Sequence, residues 1–205
     1  MGVRSVAWKF GAGQEIVVPL RQTGTMALMP RAALGLLCFA LVGCSSTPPP
    51  RWETGGTRMM VARAYWERGE HDLIEIRDDG HVYEGEDMVF TIDSVGRVVD
   101  SDYAPFALLY DDGRLLGPDE TELGRVGLYN ASPPEQRYAW VTVGPDGRVT
   151  FFDEDGEQHF GGTWRGCGGP MARTCTLVTH AFMLRVFLAR RHSGPSLGVG
   201  IGIGL

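Results

Sequence analysis

Five positions set one hairpin apart constrain this chain more than anything else in it: Gly80, Gly96, Gly113, Asn130 and Gly147, at steps of 16, 17, 17 and 17 residues. Four residues before each stands an aliphatic one: Ile76, Ile92, Leu109, Val126 and Val143. Two residues after, four of the five are aliphatic again, as Val82, Val98, Leu115 and Val149. Three centres read Asp-Gly (Asp79-Gly80, Asp112-Gly113, Asp146-Gly147), and that dipeptide between apolar runs is a strong hairpin signal. Pro145 sharpens the turn type. Its φ near −65° is forbidden at the centre of a type I′ turn, so a type I turn fits, with Gly147 in the left-handed region as a G1 bulge. The resulting three-residue loop pairs Val143 with Val149. The same register pairs Ile76 with Val82, Ile92 with Val98 and Leu109 with Leu115. The copy at Asn130 departs, because Ser132-Pro133-Pro134 breaks its return strand and implies a longer loop.

These spacings predict consecutive antiparallel hairpins over residues 73–160, with a further turn at Asp155-Gly156. The fold class is all-β, its hairpins forming a sandwich, a barrel or a stacked sheet. Upstream, residues 57–68 (TRMMVARAYWER) read either as a short N-terminal helix capped by Thr57 and ended by Gly69, or as a first strand. Downstream, residues 177–189 (LVTHAFMLRVFLA) are apolar on a helical or an extended reading. At period two, Val178, Phe182, Leu184, Val186 and Leu188 share a face interrupted by His180. Residues 190–196 read as a turn. The tail 197–205 alternates glycine with Leu197, Val199, Ile201, Ile203 and Leu205, as a buried closing strand with one bare backbone face would, or an edge for self-association or membrane contact.

Residues 26–46 carry a different kind of signal. Met26 or Met29 with Arg31 forms a short basic start, residues 32–42 an apolar run, and Leu41-Val42-Gly43-Cys44 closes it. The run is too short to span a bilayer, which needs about 20 apolar residues. It resembles the signal peptide of a bacterial lipoprotein, with Leu41-Val42-Gly43-Cys44 as its lipobox. The resemblance implies cleavage between Gly43 and Cys44, thioether lipidation of Cys44 and acylation of the new N-terminus. Ser45, in place of the Asp that retains such proteins at the inner membrane, implies an outer-membrane address facing the periplasm or the surface. On this reading residues 1–25 are a start codon placed too early or a long n-region, and 26–43 are the signal peptide. Residues 44–56 are a Ser/Pro/Gly-rich tether, and 57–205 are a single β-rich domain.

Composition narrows the partners. Residues 44–205 hold 15 arginines and no lysine against 24 acidic residues, a formal charge of −9. Nucleic-acid binding needs a basic footprint, so none is expected. The same charge leaves the lipid as the membrane attachment. With Cys38 removed and Cys44 lipidated, Cys167 and Cys175 remain as one pair in an oxidising compartment. Glycine and proline crowd the segment between them, which favours a structural disulfide worth about 2–3 kcal/mol for so short a loop.

Chemistry-bearing residues are sparse. His71, His81, His159, His180 and His192 form no paired metal motif. Asp153, Asp155 and His159 are candidate metal ligands, though the acidic run holds only a fragment of a calcium-loop pattern. Asp78-Asp79 and Asp111-Asp112 are turn formers. Cys167 with His159 or His180 would make a nucleophile pair only if the cysteine were free. No Gly-x-Ser-x-Gly, phosphate loop or dinucleotide fingerprint occurs, so no catalytic residue and no cofactor is expected. Trp52, Trp66, Trp140 and Trp164 with Tyr65, Tyr83 and Tyr138 are either core aromatics or a glycan-stacking surface. The expectation is a lipid-anchored envelope protein with a structural or binding role and a protein or glycan partner. The alternatives are an envelope hydrolase using sheet carboxylates and a calcium-stabilised adhesion module.

Overall fold

A computed structural model describes residues 46–69, 72–153 and 155–192, and the strand pair Lys9–Phe10 with Gln14–Glu15. The chain divides into two compact units, Met1–Cys44 and Ser45–Leu205. That strand pair is what is described of the first. The signal segment 26–43, Cys44 and the tail 197–205 lie outside the described residues.

The second unit is a closed antiparallel barrel. Its strands are β1 (Ala64–Gly69), β2 (Asp72–Ile76), β3 (His81–Glu84), β4 (Asp87–Ile92), β5 (Arg97–Asp100) and β6 (Pro105–Leu109). β7 (Arg114–Leu116), β8 (Glu122–Val126), β9 (Asn130–Ser132), β10 (Val141–Val143), β11 (Arg148–Phe152) and β12 (Gln158–Arg165) follow. Each strand pairs with its neighbour in sequence, and β12 returns to β1 through Trp164 opposite Trp66. Closure removes the unpaired edges that an open sheet presents.

The turn chemistry sets the register. Ile76 pairs with Val82, Ile92 with Val98, Leu109 with Leu115 and Val143 with Val149. At each of these turns the glycine N–H closes on the carbonyl three residues back, as Gly147 does on Gly144 at 2.8 Å. The same glycines accept from the next hairpin. Gly80 takes the N–H of Ile92, Gly96 that of Leu109, Gly113 that of Val126 and Gly147 that of Trp164. The repeat length is therefore one hairpin, from one turn glycine to the next. A Cβ at Gly80 or Gly147 would collide with the carbonyl oxygen of Ile92 or Trp164. Asn130 does not follow this plan. It begins β9 rather than closing a turn, the hairpin before it is tight (Gly127 N–H to Asn130 O, 2.8 Å), and Pro133 ends β9 after three residues. The long loop is residues 133–140, beyond the strand.

Residues 57–68 hold no helix. The chain is irregular to Arg63 and then enters β1. The α-helix lies at the other end, α1 (Ala172–His192), after a 3-10 turn over Gly169–Met171. The extended reading of 177–189 fails because α1 fills the barrel lumen. From Met171 to Leu184 every residue except Arg173 and Met183 is buried. A helix buried all round shows no polar face, so its periodicity is illegible. Leu177, Val178, Ala181, Phe182 and Leu184 join one core with inward residues of the wall, including Trp66, Phe90, Val126 and Trp164. Each fully buried large side chain contributes about 1.5–3 kcal/mol.

Outward positions on the wall include Glu67, Glu75, Thr91, Arg125, Thr142 and Thr150, while the lumen is apolar. A membrane-spanning barrel has the opposite polarity. Residues 46–57 lie along this wall, and residues 58–63 then cross the mouth where α1 enters, with Met59 N–H on Ser94 O (2.9 Å) and Arg63 N–H on Asp78 Oδ1 (3.0 Å). Gly56 and Thr57 donate to Val95 and Leu109 carbonyls at 2.8 Å, and Thr47 and Asp119 exchange two bonds of 2.9 Å. The outward Leu108 is fully buried, with Gly56 lying over its side chain.

Two turn glycines differ in what surrounds them. Gly147 and Gly156 both have positive φ, 84° and 80°, but nothing lies near a Cβ at Gly156. Gly156→Ala should cost about 1 kcal/mol in urea unfolding, and Gly147→Ala about 3 kcal/mol or more, because a wall strand must shift. Equal costs would contradict the cradle.

Candidate functional site

The sequence candidates fall into three places. Asp153, Asp155 and His159 lie at the β11–β12 turn. Asp153 Oδ1 accepts the backbone N–H groups of Asp155 (3.1 Å) and Glu157 (2.8 Å), and Oδ2 lies 3.0 Å from His159 Nε2. The potential ligand atoms of Asp153, Glu157 and His159 lie within 4.8 Å of one another, all three residues exposed. Glu157 thus stands where sequence reasoning put Asp155, whose backbone closes the turn instead. The His159 ring, and next the Glu157 N–H, hold the Asp153 carboxyl below the usual carboxylate range. That keeps it ionised at neutral pH, which suits cation contact and not proton donation.

Cys167 and Cys175 are joined as a disulfide, their Cα atoms 6.0 Å apart. The bond ties the loop after β12 to the first turn of α1, fixing the helix where it enters the lumen. Cys167 is thereby not a free nucleophile. His180 is equally committed. Its Nε2 lies 2.8 Å from the Leu123 carbonyl and its Nδ1 2.9 Å from Trp140 Nε1. Indole N–H only donates, so Nδ1 is the acceptor and Nε2 carries the proton to Leu123. Both ring nitrogens are satisfied inside the core.

The aromatics divide. Trp66 and Trp164 stack at 5.6 Å within the core, their indole N–H groups donating to Gly161 O (2.8 Å) and Thr179 Oγ1 (2.9 Å). Tyr83 is capped by Arg77 at 3.7 Å from its ring centre. Tyr138 is exposed on the 133–140 loop. Sequence reasoning missed the far mouth of the barrel. There Arg68 lies over Trp66 and Phe182 and bonds Asp72 and Glu84, and Arg185 of α1 approaches Glu84 at 3.8 Å. An arginine interrupting the apolar helix was the available signal.

Burial pushes the His180 imidazole down from 6.5 to about 4, against the opposing bond to Leu123. Above the upper value both folded and unfolded chains hold it neutral, and it adds no pH dependence. Below it the unfolded chain takes up a proton that the folded chain refuses. Stability should then fall by about 1.4 kcal/mol per pH unit, some ~3 kcal/mol in all before the folded pKa is reached. Urea midpoints of wild type and His180→Gln across this range measure it. The variant, less stable at neutral pH, should show a flatter slope. Comparison with protein-family models, curated proteins and solved structures finds no match to the chain.

Proposed function

We propose that this chain is a lipid-anchored protein of the bacterial cell envelope whose barrel serves as a binding or structural module through its outer wall. The observation that carries the reading is Leu41-Val42-Gly43-Cys44 at the end of the apolar run 32–42. Two or three acyl chains at about 0.8 kcal/mol per buried CH₂ exceed the marginal hold of a single chain. The filled lumen supports the placement of function outside, since α1 occupies the space a ligand would enter. Two residues separate Cys44 from Thr47, three steps with a reach of ~10 Å. Because Thr47 is bonded to Asp119, the barrel rests close to the bilayer, and the proline-rich stretch is a strap on the wall rather than a long spacer.

The hydrolase alternative loses ground on geometry. Its carboxylates sit on an exposed hairpin tip, and Asp153 is held ionised. The grouping of Asp153, Glu157 and His159 favours a second reading, cation-stabilised adhesion. Calcium should then raise the melting temperature, chelator should reverse it, and Asp153→Asn should abolish the rise.

Mass spectrometry of the mature N-terminus from membranes, wild type against Cys44→Ala, tests the leading reading. A diacylglyceryl cysteine at position 44, lost in the variant, is expected. An unprocessed chain in both would overturn it.

A further inference from the structure

The wall carries a second concave feature unrelated to these motifs. A cleft of about 270 Å³ lies over β8 and β9, rimmed by Asp112 of the β6–β7 turn and Arg137 of the 133–140 loop, with Arg125, Asn130 and Ser132 along its floor. The register sets Arg125 directly opposite Arg114 on β7 and Ser132 on β9. Like charges directly opposite on a sheet repel. Arg114 is compensated, its Nε donating to Asp112 Oδ2 at 2.7 Å. Arg125 and Arg137 have no hydrogen-bond or ion-pair partner among the described residues. Two guanidinium groups, Arg114 and then Arg125, thus act on the Asp112 carboxylate and hold it below the usual carboxylate range, and a third, Arg137, lines the same cleft.

We propose that this cleft binds the carboxylate end of a peptide or N-acyl amino acid. The Arg125 and Arg137 guanidinium forks, neither of them hydrogen-bonded among the described residues, match a planar carboxylate, which each can grip through paired N–H groups. The rest of the lining separates carboxylate from phosphate. The Asp112 carboxylate accepts hydrogen bonds and repels anions, so a phosphate offering only charged oxygens meets an unfavourable neighbour. An amide N–H beside a carboxylate meets a partner there, and Asn130 and Ser132 supply further polar groups for the adjoining peptide unit. The volume lies just below the ~300–1,000 Å³ of ordinary small-molecule pockets, which suits a chain end rather than a cofactor. In this arrangement Arg125 holds the carboxylate from the floor and Arg137 closes over it from the loop.

Isothermal titration of the full chain in detergent tests this at constant ionic strength, with N-acetyl-alanyl-alanine, its C-terminal amide and inorganic phosphate as probes. The acid should bind saturably. Its amide should bind about tenfold more weakly or worse. Arg125→Gln and Arg137→Gln should each weaken the acid by a similar factor, while Arg58→Gln, an exposed arginine elsewhere, should leave it unchanged. The acid–amide comparison needs no variant, so it holds even if a substitution disturbs folding. Equal binding of acid and amide, tighter binding of phosphate, survival of binding in both cleft variants, or no saturable heat with the acid would each overturn the assignment.

Discussion

A ring of twelve strands encloses more space than its own inward side chains can fill, and an unfilled apolar lumen would forfeit the dispersion contacts of every residue lining it. This chain meets the constraint with its own C-terminal helix. Cys175, Leu177, Val178, Ala181, Phe182 and Leu184 supply the missing core. The buried polar groups on the helix follow from the same placement. Thr176 and Thr179 donate to carbonyls one turn back, at 2.9 and 2.8 Å. Thr179 also receives the Trp164 indole, and His180 bridges Trp140 to Leu123. The Cys167–Cys175 bond fixes the helix at one mouth, and the Arg68 and Arg185 cluster with Glu84 closes the other.

With the lumen occupied, chemistry moves to the wall and its turns. The wall is held in register by glycines that both close their own turn and accept from the next hairpin. Among the described residues no glycine of the opposite turns makes both bonds, although Gly156 closes on Asp153 at 3.1 Å. There the 133–140 loop and the Asp153–His159 tip project, as binding loops on a rigid frame do. The arginine cleft draws on both, with its floor on β8 and β9 and its lid on the long loop.

Much of the wall was legible in the sequence because its information is local. Four turn glycines, three of them in Asp-Gly, and the aliphatic residues around them fixed four cross-strand pairs, and Pro145 fixed the turn type. Closure was not legible, since it rests on Trp164 meeting Trp66 across nearly the whole domain. Residues 177–189 stayed open between helix and strand for a physical reason: burial on nearly every side erased the polar stripe that reveals a helix. Of the candidate sites, Asp153 and His159 share one turn and could be read together. The Trp140–His180 bond and the Arg114–Arg125 juxtaposition depend on strand pairings and helix position, which no local pattern encodes. Asn130 misled because it copies the spacing of a turn glycine while sitting at the start of a strand.

Native-state hydrogen exchange on the full chain tests whether α1 is the core around which the wall closes. If it is, the amides of residues 175–184 should exchange only through global unfolding, with the same free energy as the slowest amides of β1, β10 and β12. Exchange of the helix at a markedly lower free energy, with the wall still protected, would mean that the barrel stands without it and would contradict the account.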